Sequence, residues 1–236
     1  WNAFARWRDL VLKLFVEEED LLVHLLLDCS GSMDWGEPVK FDHARRVVAG
    51  LAYLTLANLD RAAVVPLGDD GKNLWPPSRG KHRFLQLLRY LARCPVAATP
   101  VRLEDAVRRW VATQPRRGMV VWVSDLWGTD IGDAMKALDL LRYTRQEVSV
   151  IQIMDAAEGE AGVIGEYEME DCENGERRTV IVDSRLAREY RSRFEAYQQS
   201  IHHYCRRHQI PLLQTDTRLD VADLLMKSLM AGGFVR

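Results

Sequence analysis

Apolar and polar positions follow two rhythms along this chain. Continuous apolar runs at Leu21 to Leu27, Ala62 to Leu67, Met119 to Ser124, Val148 to Ile153 and Pro211 to Gln214 read as strands buried on both faces. Between them, apolar residues recur at three- and four-residue spacing. Ala44, Val47, Val48, Leu51 and Thr55 form one such stripe, with Arg45 and Arg46 on its other side. Further helices are predicted at Lys81 to Arg93, Val101 to Ala112, Asp133 to Tyr143, Ser184 to Arg207 and Val221 to Met230. Alternation of the two rhythms predicts an α/β fold: a Rossmann-like, mostly parallel central sheet with helices on both faces.

Two places break the alternation. The Gly68-Asp69-Asp70-Gly71 turn and the short Lys72 to Trp75 segment predict an antiparallel edge strand that pairs back. Residues 162–183 predict an inserted β-hairpin: Glu166-Tyr167-Glu168-Met169 alternates, Asn174-Gly175 is a turn signal, and Thr179-Val180-Ile181-Val182 returns. No internal repeat or low-complexity linker interrupts the chain, which reads as a single domain over 1–236. It starts at Trp1 rather than Met and so reads as a fragment of a longer chain.

The first apolar run ends in Asp28-Cys29-Ser30-Gly31-Ser32, a D-x-S-x-S pattern. Alternate residues leaving a strand point the same way, so one carboxylate and two hydroxyls can converge beyond the sheet edge. An all-oxygen donor set suits a hard cation, and Mg2+ in particular retains exchangeable waters. Taken alone, a Ser-rich loop after a strand is as readily a turn or a helix cap. Thr99 precedes a predicted helix, and Asp125 ends the apolar run from Met119.

Together these positions resemble the metal-ion-dependent adhesion site (MIDAS) of von Willebrand factor A-like domains. The resemblance implies a Mg2+ site, with Mn2+ or Ca2+ as alternatives, held by Asp28, Ser30, Ser32, Thr99 and Asp125. It also implies that a partner's acidic residue replaces a metal-bound water. Trp1-Asn2-Ala3-Phe4-Ala5-Arg6, the acidic Glu17-Glu18-Glu19-Asp20 run, Ser124-Asp125-Leu126 and the Asp171-Cys172-Glu173-Asn174-Gly175-Glu176 turn narrow it further. They resemble the bacterial domain-of-unknown-function family 58, whose genes commonly lie beside those of MoxR-type AAA+ ATPases. On that resemblance residues 1–20 are a family segment, and the partner is a MoxR-type ATPase or its client.

Composition narrows the classes. The chain of 236 residues is 47% hydrophobic and 28% charged, a soluble globular balance, and its net charge of −2 gives no electrostatic case for nucleic acid or an anionic membrane. No apolar run approaches the roughly 20 residues that span a bilayer. Cys29, Cys94, Cys172 and Cys205 lack zinc-knuckle or disulfide-scaffold spacing, which points to a reducing, cytoplasmic setting, with an anchor upstream of this segment left open.

The expected role is a binding module rather than an enzyme. A metal-assisted hydrolase or phosphatase is the rival, because an open Mg2+ can polarise a phosphoryl or carbonyl oxygen. It needs a general base, and the nearby candidates Asp34 and Asp130 read as rim charges. A third reading has the metal only rigidify the loops. Trp35 and Trp127 flank the site as either exposed partner anchors or lids. His202, His203, Cys205 and His208 crowd a helix end and read as helix-terminal basic groups around an inward cysteine rather than a zinc site. Cys29 and His24 read as core residues.

Overall fold

The computed structural model describes residues 21–68, 73–113, 115–127, 132–159, 164–170 and 177–230. The residue 1–20 segment, the centre of the Gly68 to Gly71 turn, Asp130, Cys172 and the Asn174-Gly175 turn lie outside these.

A six-stranded sheet forms the centre. Its strands are β1 (Leu22–Asp28), β2 (Arg61–Leu67), β3 (Trp75–Arg79), β4 (Met119–Ser124), β5 (Glu147–Met154) and β8 (Leu212–Asp216). Their order is β3-β2-β1-β4-β5-β8, parallel throughout except at β3. The apolar runs therefore predicted the five parallel strands to within two residues at either end. The edge strand differs: it occupies Trp75–Arg79, C-terminal to the expected Lys72 to Trp75 segment. Pro76 and Pro77 look like breakers in sequence, yet an edge strand needs only one side of its backbone for pairing and tolerates them. β6 (Gly165–Glu170) and β7 (Arg177–Val182) form the expected antiparallel hairpin as a separate two-stranded sheet.

Helices α1 (Lys40–Ala57), α2 (Phe84–Leu91), α3 (Leu103–Ala112), α4 (Asp133–Tyr143), α5 (Ser184–Arg207) and α6 (Val221–Met230) complete the chain. The expected Lys81 to Arg93 helix is shorter and opens with a 3-10 turn at Lys81–Arg83. Alternation along β1 builds two cores. Val23, Leu25, Leu27 and Cys29 pack with α1, α2 and α6, whereas Leu26 packs with Trp122 and residues of α3, α4 and α5. Cys29 thus lies in the core on the side opposite Leu26, a core residue as expected. His24 is buried, with Nε2 3.0 Å from the Arg116 carbonyl and its ring edge-on to Trp110.

β2 and β4 flank β1 on opposite sides, and the connection from β1 runs through α1 to β2. The chain therefore reverses its direction of progress across the sheet between β1 and β4. Crevices at such switch points, beyond the carboxyl ends of the strands, are where open α/β sheets place their ligand sites.

Candidate metal centre

Register sets the site. Leu27 pairs with Val123, so the next residues, Asp28 and Ser124, sit side by side at the strand ends. Asp28 Oδ2 accepts a hydrogen bond from the Ser124 hydroxyl, and Asp28 Oδ1 accepts one from the Ser30 amide at 2.9 Å. Gly31–Met33 forms a single 3-10 turn, which brings Ser30 Oγ and Ser32 Oγ to 3.1 Å. Asp28, Ser30 and Asp125 are fully buried, and Ser32 is half-buried. Thr99 is exposed in the loop ahead of α3, and that loop is tied to the Asp28 loop by the Ala97 amide donating to the Cys29 carbonyl at 2.7 Å.

Asp125 is held from three directions. Its Oδ1 accepts the Trp127 amide at 2.9 Å, its Oδ2 accepts from Lys40 Nζ at 2.6 Å, and its carbonyl accepts from Gln152 Nε2 at 3.2 Å. Leu126 follows with φ +63°, a left-handed conformation that costs about 1–2 kcal/mol in a residue with a Cβ. Its amide donates to Ser124 Oγ at 2.8 Å and its carbonyl accepts from the Tyr197 hydroxyl, so the loop is clasped in place.

Burial first, and the charge of Asp125 second, push the Asp28 carboxyl up to about 7. Two carboxylates buried together are a standing demand for positive charge. Lys40 meets part of it. Its side chain is 1% exposed, and its ammonium bridges Asp125 and Glu158. Burial alone would lower the Lys40 pKa, but the two carboxylates outweigh it and raise it. Glu158 is raised as well, because its own burial outweighs the pull of Lys40. Its Oε2 accepts the Asp155 amide at 3.1 Å and its carbonyl accepts from Tyr190 at 2.8 Å.

The donors fit a hard cation: carboxylates and hydroxyls converge, and the carboxylate pair lacks full neutralisation. Among the described residues no three His, Cys, Asp or Glu side chains cluster as a metal site, so the remaining ligands here would be hydroxyls and water. Beside the centre, Asp34, Trp35, Gly36, Glu37, Asp155 and Arg218 are among the residues lining an open cavity of about 700 Å³. Gly36 has φ +101°, and a Cβ there would lie 2.8 Å from Asp155 Oδ2.

The two rim tryptophans differ. Trp35 is 45% exposed, whereas Trp127 stacks on Tyr197 with ring centroids 4.7 Å apart. Asp34 is exposed. At the end of α5, Cys205 is buried and His202 Nε2 lies 2.8 Å from Gln214 Oε1.

Sequence reasoning missed Lys40, Glu158, Ser124 and Asp133. Lys40 left a signal, since it lies one turn before Ala44 on the apolar stripe of α1. Asp133 is fully buried and accepts the Leu103 and Glu104 amides at 2.8 and 3.1 Å, capping α3 from the start of α4.

The family model described as "Protein of unknown function DUF58" matches residues 1–202. The chain belongs to the DUF58 family. No curated protein matches its sequence. This DUF58 chain is similar in structure to the conserved hypothetical protein BatB from Bacteroides thetaiotaomicron, at 14% identity and TM-score 0.55, covering 90% of this chain and 98% of that one. It is also similar to an aerotolerance-related membrane protein from Bacteroides fragilis, at 13% identity and TM-score 0.54, covering 91% and 98%. At these identities the likeness is one of fold. The DUF58 chain has an α/β architecture in which a mostly parallel sheet carries one antiparallel edge strand and is covered by helices. No helix among the described residues is long and apolar enough to cross a membrane.

Proposed function

We infer that this chain is a metal-dependent protein-binding domain. Mg2+ is the favoured ion, held by Asp28, Ser30, Ser32, Thr99 and Asp125, and the ligand is a carboxylate of a partner protein. One observation carries the reading: two buried carboxylates and two hydroxyls of one loop converge at the switch point of the sheet, with Asp28 pushed up to about 7. A divalent ion would neutralise the carboxylate pair and keep water positions that a partner's Asp or Glu can enter. The family resemblance supports a MoxR-type AAA+ ATPase, or the client it remodels, as that partner. The Bacteroides fragilis protein is described as a membrane protein, which supports a membrane-associated setting as the alternative to the cytoplasm.

Calorimetric Mg2+ titration of the folded chain, beside Asp28→Ala and Asp125→Ala, tests the centre. Saturable binding lost in both folded variants is the expected result. Capture of a purified MoxR-type ATPase with Mg2+ and its loss in EDTA tests the partner. A second reading, a scaffold that docks without metal, draws support from Lys40, whose ammonium already holds Asp125. Capture unchanged by EDTA would favour it.

A further inference from the structure

The ammonium of Lys40 occupies the Asp125 oxygen that is not bound by the Trp127 amide. Any divalent ion drawn to Asp125 therefore meets a cation already in place, and like charges at close range repel strongly inside a protein. The ammonium has a second acceptor in Glu158, whose other oxygen and carbonyl are fixed by Asp155 and Tyr190. Lys40 lies 85 residues before Asp125 and 118 before Glu158, so the fold alone assembles this trio.

Resting on the metal-site reading above, we propose that Lys40 is a resident cation that competes with the divalent ion for Asp125. Glu158 is the acceptor that retains the ammonium when Asp125 is shared. How the ammonium divides between the two carboxylates sets the metal affinity of the centre. A divalent ion would add positive charge beside the Lys40 ammonium, among the carboxyl groups of Asp28, Asp125 and Glu158. A partner's carboxylate then adds negative charge where two cations meet, and metal and partner bind with mutual reinforcement.

Lys40→Met alone would strand Asp125 and Glu158 as buried charges and endanger folding. The test therefore compares Mg2+ titrations of the wild-type chain, Glu158→Gln, and the charge-balanced Lys40→Met/Glu158→Gln, each checked for folding by circular dichroism. Glu158→Gln leaves the ammonium with Asp125 alone and is expected to weaken Mg2+ binding about tenfold, whereas the double variant is expected to bind about tenfold tighter than wild type. Equal affinities across the three chains would overturn the proposal while leaving the metal centre standing. Binding by the double variant but not by wild type would support the proposal and sink metal dependence in the native chain. Absence of binding in all three would remove both. An independent check uses nitrogen-15 lysine NMR of the wild type, with the Lys40 Nζ signal assigned by Lys40→Arg. Saturating Mg2+ is expected to shift it, and an unmoved signal would overturn the proposal.

Discussion

Tyr197 and Trp127 stack at 4.7 Å between ring centroids, 19° from parallel, while the Tyr197 hydroxyl donates to the carbonyl of Leu126. One residue of α5 thus holds both the backbone and the side chain of the loop that follows Asp125. Tyr197→Phe keeps the stack and leaves the buried carbonyl without its donor, an expected loss of about 1–3 kcal/mol in urea unfolding. Mg2+ affinity should fall with it, because Leu126 loses the restraint on its left-handed backbone. Unchanged stability would mean that the clasp is incidental.

Asp28 couples the centre to pH. Its folded pKa of about 7 stands above its ordinary 3.8, so between these values the metal-free folded state binds more protons than the unfolded state. Its contribution to stability is therefore full below 3.8, declines as pH rises, and is lost above about 7. Asp28→Asn should gain stability relative to wild type as pH rises toward about 8 in EDTA, a gap that Mg2+ closes by stabilising the wild type. Proton and metal compete for the same carboxylate, so Mg2+ affinity should drop below about pH 7. A stability gap independent of pH would refute this account.

Asp133 caps α3 from another helix. Asp133→Ala removes the acceptor for two helix N-terminal amides and is expected to cost about 0.5–2 kcal/mol, read by thermal or urea unfolding. Because α3 follows the Thr99 loop, hydrogen exchange at Leu103 and Glu104 should rise in parallel. Unaltered exchange there would place the capping energy elsewhere.

Trp35 stands 45% exposed on the loop that carries Ser30 and Ser32, at the mouth of the adjoining cavity. Exposed tryptophans beside a docking point commonly dominate binding energy. Trp35→Ala is expected to weaken Mg2+-dependent capture of a MoxR-type ATPase by about tenfold while leaving the Mg2+ affinity of the isolated chain within about twofold. Equal losses in both would mean that Trp35 supports the metal loop rather than the partner.

What was legible in the chain followed from local pattern. The run from Leu21 to Leu27 is apolar almost throughout and the stripe from Ala44 to Thr55 recurs every 3.6 residues, patterns that reflect burial of a strand on both faces and of one helix face. The expected α4, α5 and α6 match the observed Asp133–Tyr143, Ser184–Arg207 and Val221–Met230. The edge strand was misplaced because the pattern of Trp75-Pro76-Pro77 reports lost amide donors and not which side of the strand lies free.

By itself, then, the sequence determined the order of strands and helices, their apolar faces and the oxygen-rich loops at the strand ends, because periodicity and turn chemistry are properties of neighbouring residues. Only the tertiary structure decided that Lys40 lies between Asp125 and Glu158, that Ser124 bonds Asp28 and that Tyr197 clasps Leu126. These pairings join groups between 71 and 118 residues apart. Their strength comes from burial, which exists only once the sheet and its two helical layers have closed over them.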